Sequence, residues 1–422
     1  MNISLMHGFI WAIFAFTYIG IALGEYPSLV LDRTGIAILG GVAMLLIGAL
    51  DVPQAVGSID YPTILLLFGL MIFSAQLRAA GFYDAVGKRL TLLSDHPKYL
   101  LACLIFVAAV LSALLANDIV CLAFTPLLCA ALVPAGRNPI PYLLALATSS
   151  NIGSAATLIG NPQNMYIGSV AHLSFAHYLL TMLLPVALGL VLCYLAVLIL
   201  FRAELACATP PTKTKANEEL DPYLIAKTLL LLLGLITYFL FARGAHTAEN
   251  RAIAALVGGG ILLISRRPKA ARLYQKVDYN LILLFLGLFV VNGAMQKQHL
   301  TDQTFTTISS AHIDLAHPAM LAAVTTLLSN VVSNVPAVLL LQPSVQVSSQ
   351  LNHSVQNWYL LALISTWAGN LTLVGSIANL IVAEGAKPFG VKISLKTYCR
   401  LGVPITILTV IMGTVWIIWV FR

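Results

Sequence analysis

The chain has 422 residues, 59% of them hydrophobic and only 9% charged, with a net charge of +7 and a mean hydropathy of +0.91. Ordinary globular chains carry about 25% charged residues, so a water-soluble surface cannot be assembled here. With the basic residues confined between apolar runs, the composition excludes a soluble enzyme and a nucleic-acid binder, and specifies an all-α integral membrane protein.

The first apolar run, 8–24, lacks the basic segment that opens a secretory signal and reads as the first span. Spans follow at 35–50 and 62–80. Two shorter arms, 99–116 and 118–133, meet at Asn117-Asp118. An interrupted span covers 141–171, broken from Ser149 to Pro162, and a last span covers 179–202. The polar segment 203–222 reads as a cytoplasmic linker. The plan then recurs: spans 223–241, 249–264 and 279–297, arms 317–333 and 335–350, an interrupted span 357–387, and a span 402–421. Six cysteines have no metal-ligand spacing, and most sit in apolar runs as small hydrophobes.

The recurrence is visible in the residues. Asp60-Tyr61 and Gly69-Leu70 return as Asp278-Tyr279 and Gly287-Leu288, 218 residues on. Asn117 and Pro126 match Asn334 and Pro343 at 217, and Thr157, Gly160 and Asn164 match Thr372, Gly375 and Asn379 at 215. Landmarks kept in one order at nearly one spacing indicate a duplication, with a first repeat at 1–202 and a second at 223–422.

The positive-inside rule orients the copies. If each arm pair returns to its own side, 19 of the 23 Lys and Arg fall on one side; a single crossing per pair splits them 12 to 11. Returning pairs make each half cross an odd number of times, so the second repeat is inverted. Short arms without a loop between them favour re-entrant hairpins. The expected fold is about ten transmembrane helices, two of them broken, plus two hairpins, with both termini outside an inner (plasma) membrane. Inverted repeats with broken helices build alternating-access carriers, whose site lies at the midplane.

Irregular backbone at membrane depth is tolerated where it lines a cavity or is buried in protein. The candidate substrate and ion ligands therefore lie at the four breaks. They are Asn117 and Asp118; Asn151, Thr157, Asn161, Gln163 and Asn164; Ser333 and Asn334; and Asn370, Thr372, Ser376 and Asn379. Asn161 before Pro162 reads as an N-cap with proline at the first helical position, with Ser376 its equivalent. Gly160 is expected to supply the backbone angles that end the preceding half-helix. Helix N-termini carry about half a positive charge and free N–H donors, so several of them meeting would favour an anion. Carbonyls and amides near Asn117 and Asn334 would suit Na⁺. Asp118 is the acidic residue placed inside the membrane, where a charge costs roughly 3 kcal/mol; it either binds the coupling ion or substrate, or caps the second arm. Glu384 and Lys387 read as an interfacial pair, and His172, His177, His299, His312, His317 and His353 as surface residues.

Three stretches resemble the ion transporter superfamily: Ala116-Asn117-Asp118 with Thr125-Pro126, Ser150-Asn151 through Gly160-Asn161-Pro162-Gln163-Asn164, and Ser333-Asn334-Val335-Pro336. The grouping includes arsenite permeases, citrate–metal symporters and sodium/dicarboxylate symporters, and the arsenite-permease-like branch is the most similar. In the dicarboxylate branch, Ser-Asn-Thr motifs at the hairpin tips bind carboxylates. Both asparagines are kept here, while Ala116, Asp118 and Val335 depart from that pattern. The resemblance implies an elevator-like motion, a homodimer and, for an arsenical pump, an ATPase subunit.

The expected function is secondary active transport of a small anion or oxyanion coupled to H⁺ or Na⁺, with no other cofactor. Arsenite or antimonite efflux, Na⁺/H⁺ antiport and a passive channel are the alternatives. No HExxH, GxSxG or P-loop motif supports an enzyme.

Overall fold

The computed structural model describes residues 3–24, 31–206, 220–242, 247–264, 273–301, 314–352 and 354–422. Most of the 203–222 linker lies outside the described residues, as do Cys207, His312 and His353.

The first half of the chain contains α1 (Ile3–Leu23), α2 (Arg33–Leu46), the short α3 (Val52–Gly57), α4 (Tyr61–Ala79) and α5 (Phe82–Thr91). The first hairpin is α6 (Pro97–Leu114) and α7 (Asn117–Leu132); the first broken span is α8 (Ile140–Ser154) and α9 (Pro162–Val170), followed by α10 (Phe175–Leu200). The second half gives α11 (Pro222–Phe241), α12 (Ala248–Leu263) and α13 (Tyr279–Lys297). Its hairpin is α14 (Pro318–Val332) and α15 (Asn334–Asn352), its broken span α16 (Gln356–Ala368) and α17 (Ile377–Ala386), and its last helix α18 (Leu395–Val420).

Each expected span and arm has a helix or a pair of half-helices at its place, with α1 beginning at Ile3 rather than 8 and α18 at Leu395 rather than 402. Helix starts follow from local chemistry. The carboxylates of Asp60, Asp221 and Asp278 accept from the backbone N–H three residues on, at 2.9, 3.1 and 3.1 Å. Among the described residues, seven helices are long and apolar enough to cross a bilayer. One of them is α6, with 18 residues, so the hairpin arms are not uniformly too short to span, contrary to expectation.

The packing has a reciprocal form. Helix α2 packs on α13, and α12 packs on α4, so the second span of each half lies against the third span of the other. Equivalent glycines make the two contacts. A Cβ on Gly69 would stand 2.8 Å from the Ala255 carbonyl carbon, and one on Gly287 would meet the Ala37 backbone as closely. Gly69 and Gly287 are 218 residues apart, as are Ala37 and Ala255. Lipid supplies no hydrophobic drive between helices, so such small-residue contacts are where van der Waals attraction accumulates.

Around this pair of crossings the hairpins enclose the broken spans. Helices α6 and α7 pack on α8, α14 and α15 on α16, and α7 also on α17. Helices α10 and α18 pack together and turn exposed apolar side chains outward, among them Leu180, Ile199, Val415 and Trp419, as a lipid-facing surface requires.

Candidate functional site

Each broken span restarts on a capped helix. Asn161 is extended (φ −154°, ψ 159°) and accepts from Asn164 N–H at 2.9 Å, with Pro162 next in the chain. Ser376 is extended likewise (φ −142°, ψ 142°) and accepts from Ala378 N–H at 3.2 Å. The role expected of Gly160 is corrected: it is not among the glycines with positive φ. A side chain there would run into the Ser154 backbone, and at Gly375 into the Asn330 amide. Both glycines serve close packing.

The two breaks are hydrogen-bonded to each other. The Asn151 amide donates to the Asn370 and Asn379 side-chain oxygens at 2.9 and 3.1 Å, and its own oxygen accepts from Ser376 at 3.1 Å. Thr366, 215 residues after Asn151, accepts from Asn161 and Gln163 at 3.1 and 3.3 Å and lies 3.5 Å from the Asn164 side-chain oxygen. Asn164 and Asn379 each donate to the backbone carbonyl seven residues earlier, of Thr157 and Thr372, at 3.3 and 3.0 Å. The bonds of Asn151 to Ser376 and Asn379 thus have counterparts in those of Thr366 to Asn161 and Asn164, whereas the Asn370 and Gln163 bonds have none, and all of these side chains but Thr372 are buried.

The hairpin tips are tied to this network. Asn117 donates to the Asn151 oxygen at 3.0 Å, and its backbone carbonyl accepts from Ser150 at 3.2 Å. Thr157 donates to the Ala113 carbonyl, while Thr372 donates to the Asn330 side chain at 3.0 Å. With its amide nitrogen turned toward the break, Asn334 donates to the Ser365 and Gly375 carbonyls at 3.0 and 3.3 Å. Ser333 holds the second tip at φ 74°, a conformation that favours glycine and costs a residue with a side chain. Of the candidate residues, Asp118 and Ser333 stand outside this arrangement; the Ser333 carbonyl accepts from Ala337 N–H within its own hairpin. Sequence reasoning missed Ser112, which pairs with Ser150 at 2.9 Å, and Tyr178, which accepts from Asn164 at 3.2 Å. Both sit inside apolar runs, where a single polar residue gives no signal.

Asp118 belongs instead to a cavity of about 470 Å³. It is lined by Asp32, Arg33, Asp278, Asn280, Leu284 and the start of α17 at Ile377 and Leu380. Asp118 does not cap α7: the N-cap is Ala116, with no side-chain bond. Four helix starts, those of α2, α7, α13 and α17, reach the cavity wall. Three carboxylates and one guanidinium give the wall a negative balance. Val335, Pro162, Met165 and Arg251, which correspond to the part-exposed Asp118, Ile377, Leu380 and Arg33 of the cavity wall, are buried, whereas Asn250 and Asp60, which correspond to Asp32 and Asp278, keep some exposure.

The sequence model of a citrate transporter family matches residues 10–368. The chain belongs to that family. Among relatives of this citrate transporter family member, a 46 kDa membrane protein of Mycobacterium leprae is 31% identical, with 96% of each chain covered. The silicon efflux transporter LSI3 of Oryza sativa is 28% identical over 91% of this chain and 90% of that one. The transporter arsB of Dictyostelium discoideum is 26% identical over 91% and 86%. The fold is that of the YdaH transporter of Alcanivorax borkumensis, with a TM-score of 0.58 at 13% identity over 99% and 98% of the chains. MtrF of Neisseria gonorrhoeae, an antimetabolite efflux pump, gives 0.54 at 10% identity over 99% and 94%. The citrate transporter family member is therefore a multi-pass membrane transporter and not an enzyme, and its resemblance to ion transporter superfamily permeases holds.

Proposed function

We propose that the protein is a secondary carrier for a small oxyanion or its neutral parent acid, coupled to H⁺ or Na⁺ and working by alternating access between two inverted repeats. The observation that carries this reading is the one-sided cavity: Arg33, Asp118, Ile377 and Leu380 are part-exposed around it, while their counterparts Arg251, Val335, Pro162 and Met165 are buried. In a molecule whose halves are related by inversion, exchanging the two arrangements moves the opening to the opposite face. By the charge bias, the open side is the cytoplasmic one, in an inner membrane with both termini outside.

The cavity wall narrows the substrate. Asp32, Asp118 and Asp278 against Arg33 repel a dianion such as succinate, whereas an uncharged acid crosses the same wall without that cost. A weak oxyacid carried in its neutral form, with H⁺ moving against it, fits a wall that sets carboxylates among helix starts. The names of two relatives, arsB and a silicon efflux transporter, support metalloid acids as the class. Na⁺ held near Asn117 and Asn334 is the other coupling cation the site residues suit.

The test is flux into proteoliposomes of purified protein, comparing arsenite, silicic acid, citrate, succinate, sulfate and phosphate under imposed pH or Na⁺ gradients. Saturable arsenite or silicic acid flux driven by a pH gradient supports the reading. Gradient-driven citrate or succinate flux with no metalloid flux removes the neutral-acid assignment, and non-saturable flux of all six removes the carrier.

A further inference from the structure

Arg251 of α12 is a cation at 2% exposure in a protein with few charges. Its guanidinium donates to the carbonyls of Gly168 and Leu173, both at 2.9 Å, at the C-terminal end of α9. Asp60 grips the same helix end. One of its oxygens caps α4 through Thr63 N–H, and the other accepts from the Ser169 hydroxyl at 3.0 Å. A cation at a helix C-terminus and a carboxylate fixed by its own cap join a broken span to the crossed helices α4 and α12.

The same two residue types recur 218 positions away, as Arg33 and Asp278. Among the described residues, they grip nothing comparable there. Both line the open cavity, Asp278 exposed and Arg33 half-buried, and the helix facing them is α17, the equivalent of α9. We propose that Arg251 and Asp60 are a latch that holds the state seen here, and that Arg33 and Asp278 latch the opposite state onto the C-terminal end of α17. This rests on the alternating-access reading above, and it assigns positioning roles to four charged residues outside the breaks.

The two latches are unequal. Ser169 corresponds to Glu384, 215 residues on, which here pairs with Lys387 at 2.7 Å on the surface. Where the first latch sets a hydroxyl against Asp60, the second would bring Glu384 toward Asp278. Two carboxylates facing each other make a weaker clasp than a carboxylate and a hydroxyl. The state latched by Arg251 and Asp60 is therefore the resting one.

The experiment uses full-length protein with its six native cysteines replaced, carrying either Leu380→Cys or its counterpart Met165→Cys, and a membrane-impermeant maleimide applied from either face. Leu380→Cys labels from the face onto which the cavity opens and Met165→Cys, now buried, only from the opposite one. Arg251→Ala and Ser169→Glu each lower labelling at 380 and raise it at 165. The ratio changes by about tenfold or more, the shift in a two-state equilibrium that two charge-assisted hydrogen bonds can produce. Arg33→Ala moves the ratio the other way. Glu384→Ser, a surface change that leaves folding intact, copies the first latch onto the second and moves it in the direction of Arg251→Ala. If the parent labels at both positions from opposite faces but Arg251→Ala, Ser169→Glu and Glu384→Ser leave the ratio unchanged, the latch is wrong and alternation stands. If Met165→Cys resists labelling from the opposite face in every variant, alternation fails and the latch with it.

Discussion

Asn151 donates to the Asn379 side chain at 3.1 Å across the junction of the two broken spans, and its amide is simultaneously bonded to Asn117, Asn370 and Ser376. A single side chain therefore ties one hairpin tip and both breaks together. Asn151→Ala strands several buried polar atoms at once. Each unsatisfied group costs about 1–3 kcal/mol in protein interiors, and about 0.6–2 kcal/mol where the unfolded state stays in the membrane. The variant should unfold in detergent several degrees below the parent and lose transport. Thr366→Ser, which keeps the hydroxyl that Asn161 and Gln163 meet, should retain both. A thermal melt with a thiol-reactive dye checks the first point and proteoliposome flux the second.

Close backbone approach makes a separate claim. A methyl group on Gly69 or Gly287 would overlap the facing backbone of Ala255 or Ala37, and backbone cannot move aside as a side-chain end can. Gly69→Ala and Gly287→Ala should each cost about 1–3 kcal/mol, as overpacking does. Gly260→Ala, in α12 with open space around it, should be neutral or slightly stabilising. Melting temperatures of the three variants side by side are sufficient.

Ser333→Gly should stabilise the protein by about 1 kcal/mol, because glycine adopts φ 74° without the Cβ clash. Ser333→Val should destabilise it. Equal melting temperatures for the two would mean that the second hairpin tip does not hold this conformation.

Much of this could be read in the chain before any coordinates. Hydropathy located the spans, and Asn161-Pro162 announced its cap, because both signals are local. The short helices α3 and α5 were missed, being too short and too polar to register in a search for apolar runs. Gly160 was assigned backbone freedom when its role is room for Ser154, a contact that sequence spacing does not display. Asn117 and Asp118 were grouped as one site, yet neighbours in a helix point about 100° apart. Asn117 consequently turns into the network while Asp118 turns to the cavity. The Arg251 tie joins residues about 80 positions apart and had no motif to mark it.

That separation gives Asp118 its own test. Asp118→Asn removes a charge from the cavity wall without removing a hydrogen bond that holds the hairpin. Melting temperature should change little, while gradient-driven flux falls to background and passive exchange of a neutral acid persists. Unaltered flux with unaltered pH and Na⁺ dependence would take Asp118 out of the coupling.

The exchange of open and closed sides is tested most directly by a crosslink. Arg33→Cys and Ala383→Cys stand where Arg251 and Gly168 stand in the other half, but here Arg33 lines the open cavity while Ala383 is buried. Alternation predicts that a short bifunctional thiol reagent joins them in the membrane and stops transport, with recovery once a cleavable linker is cut. If each cysteine labels singly with a monofunctional reagent yet the pair never crosslinks, the opposite state does not form and the two repeats do not exchange roles.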